Sequence, residues 1–424
     1  MLPLDQGTLE RHDAAFPDWV LGQRVGAFKE FQSQSMPDPR REEWRYVDLD
    51  FDLDDFGLPE HPGEAIAADM AFDSVFEDVA GRASVVDGHC VSIDGGDGAS
   101  FLSIRSALDG FEDKARSVYG RGIPAGLDRF SAAHNAFSTD GVFLMVPANT
   151  TVTSPFIVDV QATAAGSVTF PHVTILVEEN AEAAVVIHYR SPDAPMVVVP
   201  QIEADVSGRL RLTAVQEWGT QTNAISQLRM AAGRDARLHL GEVGLGGALA
   251  RLHLTMDLNG QGSYGEVSGL YFGDNEQVLD YRAFMNHRAP NTTSDMFLKG
   301  AVEDDADSVF TGLIRIEPQA QKTNAFQTNR NLVLSEGAEA QSVPNLEILA
   351  NDVKCGHGST VGPLDLEQRY YLMSRGLDRI RADRLQVRGF FEEAIRRLPV
   401  QGIADSVRER VNAKYVAAQE EGRV

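Results

Sequence analysis

Gly233-Arg234-Asp235-Ala236-Arg237-Leu238-His239-Leu240 joins a turn-like piece to a short β segment, and Ser207-Gly208-Arg209-Leu210-Arg211-Leu212 sets out the same order one unit earlier. Similar turn pieces stand at Glu179-Asn180-Ala181-Glu182 and Asn259-Gly260-Gln261-Gly262, so the four recur at intervals of about 27 residues. Working outward, short β segments such as Gly141-Val142-Phe143-Leu144-Met145-Val146 and Val173-Thr174-Ile175-Leu176-Val177 fill the chain from about residue 139 to 364. No long helix interrupts them. A recurrence of short strands without intervening helices suits a β-solenoid in which each coil stacks on the last. Later spacings are irregular, as at Glu336-Gly337-Ala338-Glu339, and periodicity alone leaves sandwich and barrel architectures open.

Both flanks read as helical. Before about residue 138, Asp18 to Phe28 and Gly126 to Asn135 carry apolar residues at i, i+3 and i+4 spacing, and a short strand at Ala83 to Val86 interrupts the pattern. From about 365 to 424 the helical pattern returns in Gln368 to Gly376 and Gly389 to Ile395, divided by Pro399 and Gly402. Between Arg369 and Lys414 there are 11 basic and 6 acidic residues, in a chain of net charge −24. Such asymmetry suggests a docking surface, and helix-helix pairing within the chain would account for it equally well. The expected organisation is therefore a helical region over 1–138, a β core over 139–364 and a helical region over 365–424.

The acidic balance argues against nucleic acid and anionic membranes as partners, since both need clustered Lys and Arg to displace counterions. The start, Met1-Leu2-Pro3-Leu4-Asp5-Gln6, lacks a basic stretch followed by an apolar one, and two cysteines in 424 residues make no disulfide framework. A cytoplasmic protein is expected. Asp48, Asp50, Asp52, Asp54 and Asp55 superficially resemble a calcium loop, but Leu53 and Pro59 stand where Gly and Glu are required. They read as a solvated acidic edge.

One of the two cysteines lies in Asp352-Val353-Lys354-Cys355-Gly356-His357-Gly358. On a strand, Cys355 and His357 share a face and can point together at one soft metal or sulfur species. Lys354 would favour the thiolate as a neighbouring cation, although it faces the other way. A zinc or iron-sulfur centre takes about four N/S ligands, and no second pair with ligand spacing is found in the sequence. The pair reads as half of a site completed by another subunit. No lysine follows a glycine, so there is no phosphate loop; Gly241 to Gly247 fail the dinucleotide fingerprint because Leu249 takes its last position; and no G-x-S-x-G elbow is present.

Several ordered motifs between His287 and Ile395 resemble the SufB/SufD family of iron-sulfur cluster assembly proteins, within it the SufD branch. They are Ala320-Gln321-Lys322-Thr323-Asn324-Ala325-Phe326-Gln327, Asn329-Arg330-Asn331-Leu332-Val333-Leu334-Ser335, Pro344-Asn345-Leu346-Glu347-Ile348, the Cys355/His357 segment, and Tyr371-Leu372-Met373-Ser374-Arg375-Gly376. Glu43-Trp44-Arg45-Tyr46 resembles the family's N-terminal signature, and Asn135-Ala136-Phe137 with Asp140-Gly141-Val142 the entry to its β region. SufB chains carry a Cys-Asp-Ser segment near the position of Arg330 and Cys-Glu-His-Glu where this chain has Cys355-Gly356-His357-Gly358, and both features are missing here.

The resemblance implies a mainly β fold: a right-handed parallel β-helix flanked by N- and C-terminal helical regions. It implies a non-catalytic scaffold subunit of a SufBCD-type complex, paired with a SufB-like paralogue. A SufC-like ABC ATPase would dock on the C-terminal helices and supply the nucleotide site, and a cysteine desulfurase system would feed the complex indirectly. A homodimer in isolation is compatible with it. Cys355 and His357 would lie at the junction with the paralogue, holding iron or a nascent cluster transiently. No cofactor is expected to stay on this chain, and a reduced flavin belongs, where it occurs, to the complex. His287 is expected to be structural or to support a ligand indirectly, not to be a ligand itself. Two alternatives are carried: a β-solenoid enzyme acting on polysaccharide, and a purely structural adaptor.

Overall fold

The computed structural model describes residues 1–13, 16–66, 75–76, 78–96 and 98–420. Residues 421–424, the end of the expected C-terminal region, lie outside the described residues. The β core is a parallel solenoid of about eight turns. Each turn gives one strand to a ten-stranded sheet and one to an eleven-stranded sheet, and the two face each other across the interior.

The periodicity seen in the sequence is the register of the first sheet. Glu182, Arg209, Arg237, Tyr264, Thr293, Asn324 and Lys354 are successive ladder partners, spaced 27 to 31 residues apart. The lengthening after Tyr264 is what made the later spacings look irregular. Corners are taken by residues that tolerate the left-handed region: Asn180 (φ 57°), Asp235 (φ 55°) and Gly262 (φ 77°), inside three of the turn pieces picked out above.

Alternation along each strand builds two different surfaces. Leu210, Leu212, Leu238, Leu240, Val267 and Met296 point inward and form one continuous core. Their outward neighbours Val215, Val243, Leu270, Phe272 and Phe297 are buried too, under C-terminal helices α7 (Arg379–Ile395) and α8 (Ala404–Glu420). On the other sheet the outer face is covered by N-terminal helices, among them α2 (Asp18–Ser33) and α5 (Arg129–Phe137). Strands buried on both faces read as apolar runs rather than alternating ones, as Gly141–Val146 does.

Within the stretch expected to be mainly helical, the strand foreseen at Ala83 to Val86 is Gly81–Val86, and it pairs in parallel with Phe156–Gln161. It also forms a hairpin with His89–Gly95, so the first sheet begins well before residue 139. These pairings are long-range or lie at a sheet end, where local propensity carries little information.

Trp44, from the N-terminal signature, stacks on Phe130 with ring centroids 5.6 Å apart and lies under the Arg251 guanidinium at 3.8 Å. Arg251 in turn donates to the Glu43 carbonyl at 2.7 Å and is paired with buried Asp280. Trp44→Ala is therefore expected to cost about 3–5 kcal/mol, as for other buried aromatics, read by chemical denaturation. A loss below about 1 kcal/mol would show that this segment is not fastened by Trp44.

Candidate functional site

Cys355 and His357 sit on the strand Lys354–Gly362, the last of the ten-stranded sheet. Its sole strand neighbour in that sheet is Asn324–Val333, where Ala325 partners Cys355 and Gln327 partners His357. Ala325 and Gln327 are buried on the inner face, and Cys355 packs against the same interior cluster. Parallel partners share a face, so the Cys/His pair points toward the solenoid interior at its open end. His357 is exposed at that mouth and Cys355 is half-buried.

Burial pushes the Cys355 thiol upward, and its hydrogen bond with the Gly356 backbone offsets this only in part. The expected lowering by Lys354 is thus corrected: Lys354 is exposed on the opposite face, and desolvation is the dominant influence on the sulfur. Cys355 is a protonated thiol at neutral pH, and any metal it binds must displace a proton.

Among the described residues, no three His, Cys, Asp or Glu side chains gather into a group that could hold a metal ion. Cys90 cannot complete the pair. It lies at the opposite end of the same sheet, nine strand spacings away or roughly 43 Å, and burial pushes its thiol to about 12. His287 is fully spoken for: its Nδ1 lies 2.7 Å from Thr292 Oγ1 and its Nε2 2.9 Å from Ser294 Oγ, and burial lowers it to about 4. It is a core histidine.

Beneath the pair, the inner face of Asn324–Val333 is polar. Asn331 Nδ2 donates to Asn329 Oδ1 at 2.7 Å, Tyr271 Oη donates to Asn331 Oδ1 at 2.7 Å, and Asn329 Nδ2 donates to Tyr271 Oη at 3.1 Å. Gln327 donates to the Asn345 carbonyl while its own buried oxygen has no partner. These residues stood in the sequence as motif positions without a role. Their every-second-residue spacing, Ala325, Gln327, Asn329, Asn331, was the signal that they share a face with one another, and the ladder register puts that face in line with Cys355 and His357.

The open end leaves two edge strands, Lys354–Gly362 and Glu339–Ile348. Around them Phe326, Ile348, Leu349 and Val361 are exposed. The helix that follows, α6 (Leu366–Ser374), has no buried residue and exposes Leu366, Tyr370, Tyr371 and Met373. Unpaired strand edges beside exposed apolar side chains are the features that characterise interaction surfaces in general. Part of the basic bias behind α6 is spent internally. Arg397 pairs with Asp295, Arg410 with Glu217, and Lys414 with Asp274, which fastens the C-terminal helices to the solenoid.

Residues 160–390 match the family described as SUF system FeS cluster assembly, SufBD core domain. The chain is 37% identical over 302 residues to an iron-sulfur cluster assembly SufBD family protein of Mycobacterium tuberculosis, covering 69% of this chain and 74% of that one. It is 29% identical over 314 residues to the iron-sulfur cluster assembly protein SufD of Bacillus subtilis, covering 72% and 71%. It is also 36% identical over 170 residues to SufD of Escherichia coli, covering 40% of each. No helix among the described residues is long and apolar enough to cross a membrane.

Proposed function

Because the chain belongs to the SufBD family of iron-sulfur cluster assembly proteins, we propose that it is the SufD-type subunit of a cytoplasmic scaffold complex, with iron and the nascent cluster as its cargo. The observation that carries this reading is a two-ligand pair, Cys355 and His357, on the inner face of an edge strand whose other side is open. Thiolate and imidazole suit iron and iron-sulfur species, but two ligands cannot close a site. A paralogue pairing its own edge strand there would supply the remainder and cover the exposed apolar rim.

The exposed face of α6 and the start of α7 would receive the ATPase, since this chain has no phosphate loop of its own. The chain would therefore be a scaffold rather than a catalyst. Family membership leaves no ground for the polysaccharide reading. The test is native mass spectrometry of the chain isolated anaerobically from its host. A paralogue of similar size with copies of a small ATPase is the expected result; the chain alone, or only with itself, would overturn the proposal.

A further inference from the structure

Away from the mouth, a chain of three buried titratable side chains ties the N-terminal layer to the solenoid. His134 on α5 has its Nδ1 2.7 Å from the Val199 carbonyl and its Nε2 2.9 Å from His172 Nδ1. His172, first residue of the strand His172–Val177, has its Nε2 3.4 Å from Glu203 Oε2 without forming a hydrogen bond. Glu203, on the strand Gln201–Val206, accepts the Gly120 N–H at 2.6 Å on Oε2 and the Gly122 and Ile123 N–H groups at 2.5 and 3.3 Å on Oε1. All three residues are at most 2% exposed.

Donor and acceptor rules settle where the protons sit. A carbonyl only accepts, so His134 Nδ1 carries a hydrogen and its Nε2 is left as the acceptor. His172 Nδ1 must then donate to it. That leaves the bare Nε2 of His172 facing a carboxylate that is itself only an acceptor, unless one more proton lies between them. We propose that His172 and Glu203 share one buried proton, and that this proton latches segment 119–123 and helix α5 onto the solenoid. With the proton present, a charge-assisted Nε2–H···Oε2 bond joins the two strands; without it, two lone pairs oppose each other and the carboxylate holding the segment is pushed away.

The surroundings leave His172 and Glu203 as the place for that proton. Burial, then His172 and, from α2, buried Arg24, which donates to the Ser138 carbonyl, drive His134 well below its usual range. Tyr119 packs on the His172 ring at 5.0 Å, and its phenol is pushed up to about 12, so it stays neutral. Arg105 and Asp140 act on Tyr119 with opposite signs. Arg229, from the strand Thr222–Ala232, is neutralised by Asp205 and Asp257. A cavity of about 390 Å³ lined by Arg24, Tyr119, His134 and His172 gives protons a way in.

The test uses the full chain with 15N-labelled histidine. His172 is expected to show both ring nitrogens protonated while His134 shows a single proton on Nδ1. In Glu203→Gln the amide Nε2–H would donate to His172, which should become neutral, and exchange at Gly120, whose acceptor oxygen is the one replaced, should quicken at least about tenfold relative to Gly122 and Ile123, which keep theirs. A His172 Nε2 that carries no hydrogen in the unmodified protein would overturn the proposal without any variant, as would an unchanged His172 spectrum in a folded Glu203→Gln protein.

Discussion

His357→Ala is expected to abolish cluster assembly by the reconstituted complex while leaving subunit association and the thermal stability of this chain unchanged. The separation follows from where the side chain sits. His357 is exposed at the solenoid mouth and makes no hydrogen bond or ion pair among the described residues, so its removal opens no cavity and orphans no partner. If the pair binds iron as proposed, loss of one of its two members should weaken iron retention by at least the roughly 10- to 100-fold that even an indirect contact to a ligand commands. The measurement is anaerobic iron-sulfur reconstitution followed by absorbance, beside native mass spectrometry of the same sample. Normal cluster formation in His357→Ala would remove the ligand role. Dissociation of the complex with cluster loss would make His357 an interface residue instead.

Cys355 should behave differently. Its sulfur packs on the interior core, so Cys355→Ala removes apolar contact as well as the proposed ligand. Cys355→Ser preserves size but exchanges a soft thiolate for a hydroxyl. Cys355→Ser should lose iron retention with little loss of stability, whereas retention equal to the unmodified protein would confine the site to His357.

The sequence disclosed the solenoid through its corners rather than its strands. The turn pieces ending at Glu182, Ala236 and Gly262 recur because each coil must reverse direction, and Asn180, Asp235 and Gly262 hold the backbone conformations that reversal needs. The strands were harder to read, since runs such as Gly141–Val146 are buried on both faces and lose the period of two. The Cys355/His357 pair was legible because alternation is local. What stands around it was not: Ala325 and Gln327 meet the pair only as ladder partners 30 residues away, with Asn329 and Asn331 further along the same strand. The His134, His172 and Glu203 chain spans 69 positions and three elements, so no spacing rule could assemble it.

The interior holds a carboxyl that no sequence pattern marked, and it should govern how stability changes between about pH 4.5 and 8. Glu242 lies on the strand Arg237–Gly244 between inward-facing Leu240 and Gly244, with its Oε2 buried and unpaired. Burial alone raises it from 4.5 to about 8. The sign follows from proton counting. Between these values the folded chain keeps a proton that the unfolded chain releases, so stability falls as pH rises, by about 1.36 kcal/mol per unit, and levels off above about pH 8. The accumulated loss is roughly 5 kcal/mol, an upper bound for an acid this deeply placed. Glu242→Gln cannot ionise, so it should match the parent chain near pH 4.5 and exceed it increasingly toward pH 8. Denaturation curves for the two proteins over that range give the difference directly, and other titrating groups cancel in it. Parallel curves would mean that Glu242 is ionised in the fold, with a counter-charge or water reaching it inside the solenoid. A widening gap would show that the apolar interior keeps a neutral acid at a measurable cost, within the same core against which Cys355 packs.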